Sequence, residues 1–205
     1  MNYFHSLQWQ YLSVVSLIVF LILGIPSWGL GSPIGHGWIE CTIRIENEWG
    51  GGGTGFLVFR NTAEQRGRIF LVTNKHVLNE DPGTRQTALR LKLFVNVKRD
   101  DGVVTGESIV LSLVEKGQRI WREHSNANVD VMAVDITRLI TSKPEMQRKW
   151  VFYSDFITPE VKKRDDITIA DEVLIIGYPD PLGTGLAHTR TNYPLVRQGI
   201  IATFR

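Results

Sequence analysis

Cysteine is nearly absent from this 205-residue sequence, and Cys41 stands alone. A single thiol cannot close a disulfide within the chain and cannot build a multi-thiolate zinc site. An excess of charge of one sign is missing too. The formal net charge is +2, and Lys162-Lys163-Arg164 runs directly into Asp165-Asp166. With no dense basic block and no basic-aromatic pattern, the composition argues against a nucleic-acid partner. The glycine tract Trp49-Gly50-Gly51-Gly52-Gly53-Thr54-Gly55 lacks the Gly-Lys-Ser/Thr ending of a phosphate loop and reads as a flexible turn before a strand. No motif calls for a cofactor or a metal. Serine, finally, does not occur after Ser154.

Long apolar runs are also missing, with one exception. Tyr11–Ile25 is apolar and is followed by Pro26 and the small residues Ser27, Gly29 and Gly31. It is shorter than the roughly 20 residues that a spanning helix requires. That fits the apolar segment of a signal peptide with a cleavage region behind it, although residues 1–10 contain no Lys or Arg. An uncleaved membrane anchor is the alternative, and a buried core helix is a third. Under the first two, residues after about Ser32 lie outside the cytoplasm, secreted, periplasmic or anchored through Tyr11–Ile25.

What the sequence does contain is strand pattern. Hydrophobic residues make up 43% and charged residues 21%, an ordinary globular balance. Trp38–Ile45, Phe56–Arg60, Arg68–Thr73, Leu89–Lys98, Val103–Leu113 and Val131–Ile136 are β-rich segments separated by turns such as Asp100-Asp101-Gly102. Six short strands of this kind predict one closed barrel. Cys41 falls in the alternating run and reads as a small buried apolar residue. Residues 139–166 are polar and punctuated by Pro144 and Pro159, which predicts a connector with helical turns. Thr168–Pro179 and Leu195–Phe204 then read as the first strands of a second barrel.

Two titratable residues stand at strand ends. His76 follows the apolar run Ile69–Thr73 within Asn74-Lys75-His76-Val77, and Asp130 opens the run Val131–Val134. An imidazole can take the proton of a hydroxyl nucleophile, and a carboxylate can hold its tautomer and stabilise its charged form. The two are 54 residues apart, close to the roughly 45 of the worked Ser-His-Asp template, whose nucleophile follows roughly 90 residues later. Asp135 competes with Asp130, but odd spacing puts the two on opposite strand faces, and the apolar run begins just after Asp130. His124 and His188 lie in polar stretches and read as solvated.

The surrounding motifs carry a resemblance. Gly53-Thr54-Gly55-Phe56, a hairpin, and then Thr73-Asn74-Lys75-His76-Val77 resemble the Gly-x-Gly-Phe strand and Thr-x-x-His-Val corner of trypsin-like serine peptidases, in particular the bacterial HtrA-related branch. Asp130 resembles the Asp of the family's Asp-Ile-Ala-Leu strand, with Ala133 one place later than in the commonest bacterial version. Gly177-Tyr178-Pro179 resembles the Gly-x-Pro that ends a strand of the second barrel, and Pro194–Ile201 the strand before the nucleophile loop. The likeness runs from about Trp38 to Arg205.

The resemblance implies an all-β, chymotrypsin-like double β-barrel. Its first barrel would be complete over residues 32–138, with 139–167 as connector, 168–205 as an incomplete second barrel and 1–31 as signal peptide or anchor. It implies peptide-bond hydrolysis with His76 as general base and Asp130 as its orienter. The Gly-x-Ser-Gly nucleophile loop is not in the sequence, so the expectation is a serine endopeptidase by family that is inactive as these 205 residues. A non-catalytic, peptide-binding relative is the alternative. Cys41 as a nucleophile is disfavoured, because it precedes His76 and lacks the Gly-x-Cys-Gly loop of viral relatives. The implied partner is a polypeptide substrate.

Overall fold

The computed structural model describes residues 19–20, 36–61, 67–78, 87–147, 149–178 and 192–202. Strand dominates them. In chain order they are β1 (Val19–Phe20), β2 (Thr42–Asn47), β3 (Gly52–Asn61), β4 (Gly67–Thr73), β5 (Arg90–Lys98), β6 (Val104–Ser112), β7 (Val114–Glu115), β8 (Gln118–Arg119), β9 (Trp121–Glu123), β10 (Met132–Asp135), β11 (Met146–Gln147), β12 (Val151–Phe152), β13 (Glu172–Gly177) and β14 (Leu195–Ile200). Short helices occupy His36–Glu40 (α1), Thr137–Thr141 (α2) and Pro159–Arg164 (α3). The chain is thus all-β in class.

The larger sheet runs β11-β5-β2-β3-β4-β10-β9, with β6 on the other side of β5 and β12 beside β3. Its centre is β3, where Gly53 through Val58 are all buried. Alternation explains the unbroken run, because successive side chains leave opposite faces. Leu57 enters the main core with Ile45, Leu71, Leu93 and Val134, whereas Phe56 and Val58 pack on the other face against Cys41 and Val151. The two glycines before Phe56 are fixed by packing and do not form the flexible turn expected there. A β-carbon on Gly53 would sit 2.5 Å from Val77, and one on Gly55 2.5 Å from Ile45.

Several boundaries differ from the sequence expectation. The strand expected over Trp38–Ile45 begins only at Thr42. The Thr42 hydroxyl and the Cys41 thiol both donate back to the Trp38 carbonyl, at 2.9 and 3.2 Å, and close a helical turn there. Between β6 and β10 lies a β7–β8 hairpin, turned by Lys116 and Gly117 at φ 50° and 75°. Two consecutive positive φ values are the signature of a tight hairpin turn. The expected closed barrel is an open sheet among the described residues, since no ladder joins β9 to β6. Within the expected connector, Met146–Gln147 pairs with β5 and Val151–Phe152 runs parallel to β3.

A second sheet, β1-β13-β14, is built on the antiparallel pairing of Glu172–Gly177 with Leu195–Ile200. Its own core is small: Ile167, Val173 and Ile201. Val19 and Phe20 pair with Ile175 and Leu174, and the remainder of the Tyr11–Ile25 segment lies outside the described residues, as do Pro179, His188 and Phe204. No helix among the described residues is long and apolar enough to cross a membrane.

Candidate active site

His76 sits in a one-turn 3-10 helix, Lys75–Val77, that begins where β4 ends. Three contacts fix this turn to the larger sheet. The Val77 side chain is buried in the space that the absent side chain of Gly53 leaves open. The buried Asn47 amide donates to the Val77 carbonyl at 3.2 Å. Leu78 is buried in the main core, and its carbonyl accepts from the Ala88 amide at 2.8 Å. The glycine strand and the histidine corner, separate motifs in the sequence, are therefore one packing unit.

Asp130 arrives from the neighbouring strand. β4 and β10 are antiparallel, with Thr73 opposite Met132, so the chain leaving β4 and the chain entering β10 emerge side by side. Asp130 lies two residues before β10, and both of its carboxylate oxygens turn to His76. Oδ1 accepts the His76 backbone amide at 3.1 Å, and Oδ2 is hydrogen-bonded to His76 Nδ1. Next to this pair, Asn74 Nδ2 donates to the Asp130 carbonyl at 2.8 Å and lies 3.3 Å from Oδ2, while Lys75 Nζ donates to the Ala127 carbonyl at 2.9 Å. Three consecutive residues thus grip the strand-entry loop 127–130.

The electrostatics follow from these bonds. Partial burial alone would raise the Asp130 carboxyl. The hydrogen bonds from the His76 ring and amide, the His76 charge and the Lys75 amide outweigh that and hold it below its ordinary value of 3.8. Asp130 is therefore a carboxylate across the neutral range. A carboxylate on Nδ1 selects the tautomer with the proton on Nδ1, leaving Nε2 with the basic lone pair. The pair is open to solvent, with side chains 42% and 46% exposed, whereas the template's aspartate is buried.

The structure brings together His76 and Asp130 and sends Asp135 elsewhere. The Asp135 carboxylate accepts Arg68 at 2.7 Å and the Thr137 amide and hydroxyl at 3.0 and 2.6 Å. Its job is to tie β4 to the start of α2. His124 is exposed, and its Nδ1 accepts the Asn126 amide; His188 lies outside the described residues. Cys41 is fully buried, and burial, opposed by hydrogen bonds from Thr42 and its own backbone, pushes its thiol up to about 12. A thiolate nucleophile there is excluded at neutral pH. Ser154, the last serine, is exposed in the turn Tyr153–Asp155. Among the described residues no cluster of His, Cys, Asp and Glu could hold a metal ion. Sequence reasoning gave no part to Asn74 or Lys75; the available signal was a cap-forming residue, Asn, one place before a histidine turn.

No protein-family profile, curated protein or solved structure matches the chain.

Proposed function

We propose that His76 and Asp130 are the general base and the orienting carboxylate of a serine-peptidase-type site on a chymotrypsin-like double-barrel fold. The observation that carries this is the two-point contact of one carboxylate with the ring and the backbone amide of one histidine, across adjacent strand ends and 54 residues of sequence. A merely structural ion pair needs one contact; holding both ring and main chain fixes the imidazole's orientation. In the chemistry this supports, a serine hydroxyl attacks a peptide carbonyl, His76 Nε2 takes its proton, and Asp130 stabilises the imidazolium that results.

The barrel reading has support at the gap between β6 and β9. The Ile120 amide donates to the Leu113 carbonyl at 3.0 Å and the Leu113 amide to the Leu89 carbonyl at 2.8 Å. The residues flanking β6 and β9 therefore touch across the base of the β7–β8 hairpin. In this reading β6 and β9 are one barrel strand with a hairpin inserted, and the β13–β14 pair begins the second barrel.

The serine and its oxyanion donors must be supplied in addition, since no serine follows Ser154. A missing oxyanion donor alone costs about 2.7–4 kcal/mol of transition-state stabilisation. These 205 residues by themselves are accordingly expected neither to cleave an unfolded protein nor to react with a fluorophosphonate probe. Labelling of any serine that His76→Ala abolishes would show a nucleophile within the chain. The base assignment is tested by nitrogen NMR of the His76 ring: a proton resident on Nδ1 supports it, and one resident on Nε2 overturns it.

A further inference from the structure

Asn is among the best N-terminal helix caps because its short side chain accepts the amides of the first turn. Asn74 occupies that position ahead of the Lys75–Val77 turn, with extended backbone at φ −78° and ψ 145°, yet its side chain makes no capping bond. The amide nitrogen goes instead to two atoms of one residue, the carbonyl and Oδ2 of Asp130, at 2.8 and 3.3 Å. Both targets are acceptors, so the orientation of the amide is not arbitrary: turned over, it would set its oxygen against a carbonyl and a carboxylate. In the observed orientation Asn74 Oδ1 is buried and has no hydrogen-bond partner among the described residues. A buried acceptor without a partner is destabilising. The side chain thus forgoes both its local capping role and its own acceptor's partner, and what remains is its donor on Asp130.

Resting on the base-and-orienter reading, we propose that Asn74 is a positioning residue: it fixes the main chain and the carboxylate of Asp130 so that Oδ2 meets His76 Nδ1. The geometry explains why a second anchor is needed. Asp130 lies outside β10, beyond the last ladder pair Met132–Thr73, so the pairing with β4 does not reach its backbone, and the adjacent main-chain bonds are at Val129 and Val131, to the Asn126 carbonyl and from the His124 amide. The carbonyl bond from Asn74 replaces that pairing, and the contact with Oδ2 selects the rotamer. Lys75 acts beside it: its ammonium on the Ala127 carbonyl secures the loop farther out, and its main-chain amide adds a hydrogen bond to the carboxylate.

The test is proton and nitrogen NMR of the full chain, with His76 signals assigned by their loss in His76→Gln and folding checked by the backbone amide spectrum. A hydrogen bond from the ring to a carboxylate gives a Nδ1 proton far downfield and protected from exchange. Asp130→Asn is expected to abolish that signal. Asn74→Ala is expected to lose it to exchange as well, with the amide spectrum otherwise that of the folded protein. Asn74→Ser provides the second arm, and carries the test if Asn74→Ala does not fold: serine supplies a cap for the turn but is too short to bridge both Asp130 atoms, so the signal is lost here too. A wild-type signal in the folded Asn74 variant, with loss in Asp130→Asn, overturns the role of Asn74 and leaves the His76–Asp130 pair standing. A ring indifferent to Asp130→Asn overturns the pair itself, and the inference with it.

Discussion

The two sheets of this protein differ in what holds them. The larger is built around a central strand buried on both faces, with Ile45, Leu71, Leu93, Val134 and Leu113 at 0 or 1% exposure. The smaller encloses Ile167, Val173 and Ile201 and leaves Ile169 and Ile200 about three-fifths exposed, at 58% and 63%. Everything that fixes His76 and Asp130 belongs to the first: Gly53, Asn47, Asn74, and the β4–β10 register. The contacts of His76 and Asp130 are therefore made within the larger sheet, and the smaller sheet has the lesser core among the described residues. Dense packing surrounds the His76–Asp130 pair, and sparse packing marks the smaller sheet.

Removing core from each half breaks the comparison most directly. Leu71→Ala deletes a side chain with no exposure at the heart of the larger sheet, and is expected to destabilise by about 2–5 kcal/mol. Val173→Ala in the smaller core removes two methyl groups, worth about 1.5 kcal/mol. Urea unfolding followed by tryptophan fluorescence should show a large shift of the main transition for the first. For the second, that transition should hardly move while tryptic cutting near Lys163 and Arg164 accelerates. The surviving fragment should contain both His76 and Asp130. Equal shifts of a single transition would mean that the two sheets unfold as one unit, and the contrast would be wrong.

Much of the larger sheet was legible because its strands carry unmistakable apolar runs, and the His76–Asp130 pairing because each residue abuts such a run. What escaped has identifiable causes. Trp38–Glu40 alternates like a strand, but the Thr42 and Cys41 side chains bond back to Trp38 and wind it into a turn. The β7–β8 hairpin is too short and polar to register as strand, so the six-strand pattern implied a closure that the ladder does not make. Gly53 looked flexible because glycine marks turns; only the position of Val77 shows that it marks a close approach. Asn74 needed both strand ends in place before its donor had a target.

Between the two sheets runs a small polar latch, and cutting it sharpens the comparison at intermediate scale. The Tyr178 amide donates to Thr54 Oγ1 at 2.8 Å, and its hydroxyl to the Asn192 carbonyl at 2.7 Å. Asn192 in turn bonds Asn96 through its amide at 2.7 Å and the Val95 carbonyl through its side chain at 2.9 Å. Burial pushes the Tyr178 phenol well above its ordinary value, opposed by the Arg44 charge, so the hydroxyl remains a donor at any ordinary pH. Asn192→Ala removes the Val95 bond and is expected to cost about 1 kcal/mol. Hydrogen exchange should rise in β13 and β14 while β3, β4 and β10 keep their protection. Loss of protection at β4 would show that the site depends on the smaller sheet after all.

The smallest expected effect separates Asp130, two residues before β10, from Asp135, its last residue. Both Asp130 and Asp135 are held below the ordinary aspartate value of 3.8, partial burial opposing and hydrogen bonds prevailing, from His76 in one case and from Thr137 and Arg68 in the other. A depressed carboxylate stabilises the fold above its unfolded value, and that contribution is lost as pH falls through the folded value. The acid limb of the stability curve, below about pH 4, should therefore steepen because of both groups. The side chains concerned are partly exposed, so solvent screening limits each pair to about 0–1 kcal/mol. Comparing the chain with Asp130→Asn and Asp135→Asn by thermal unfolding isolates the two. The Asp130→Asn difference should be level at neutral pH and shrink on acidification, as the native carboxylate takes up its proton. A difference that stays level down to about pH 2 would mean that Asp130 titrates alike in both states. The His76 contact would then contribute nothing to the fold, and the exposed site would be held by the larger sheet alone.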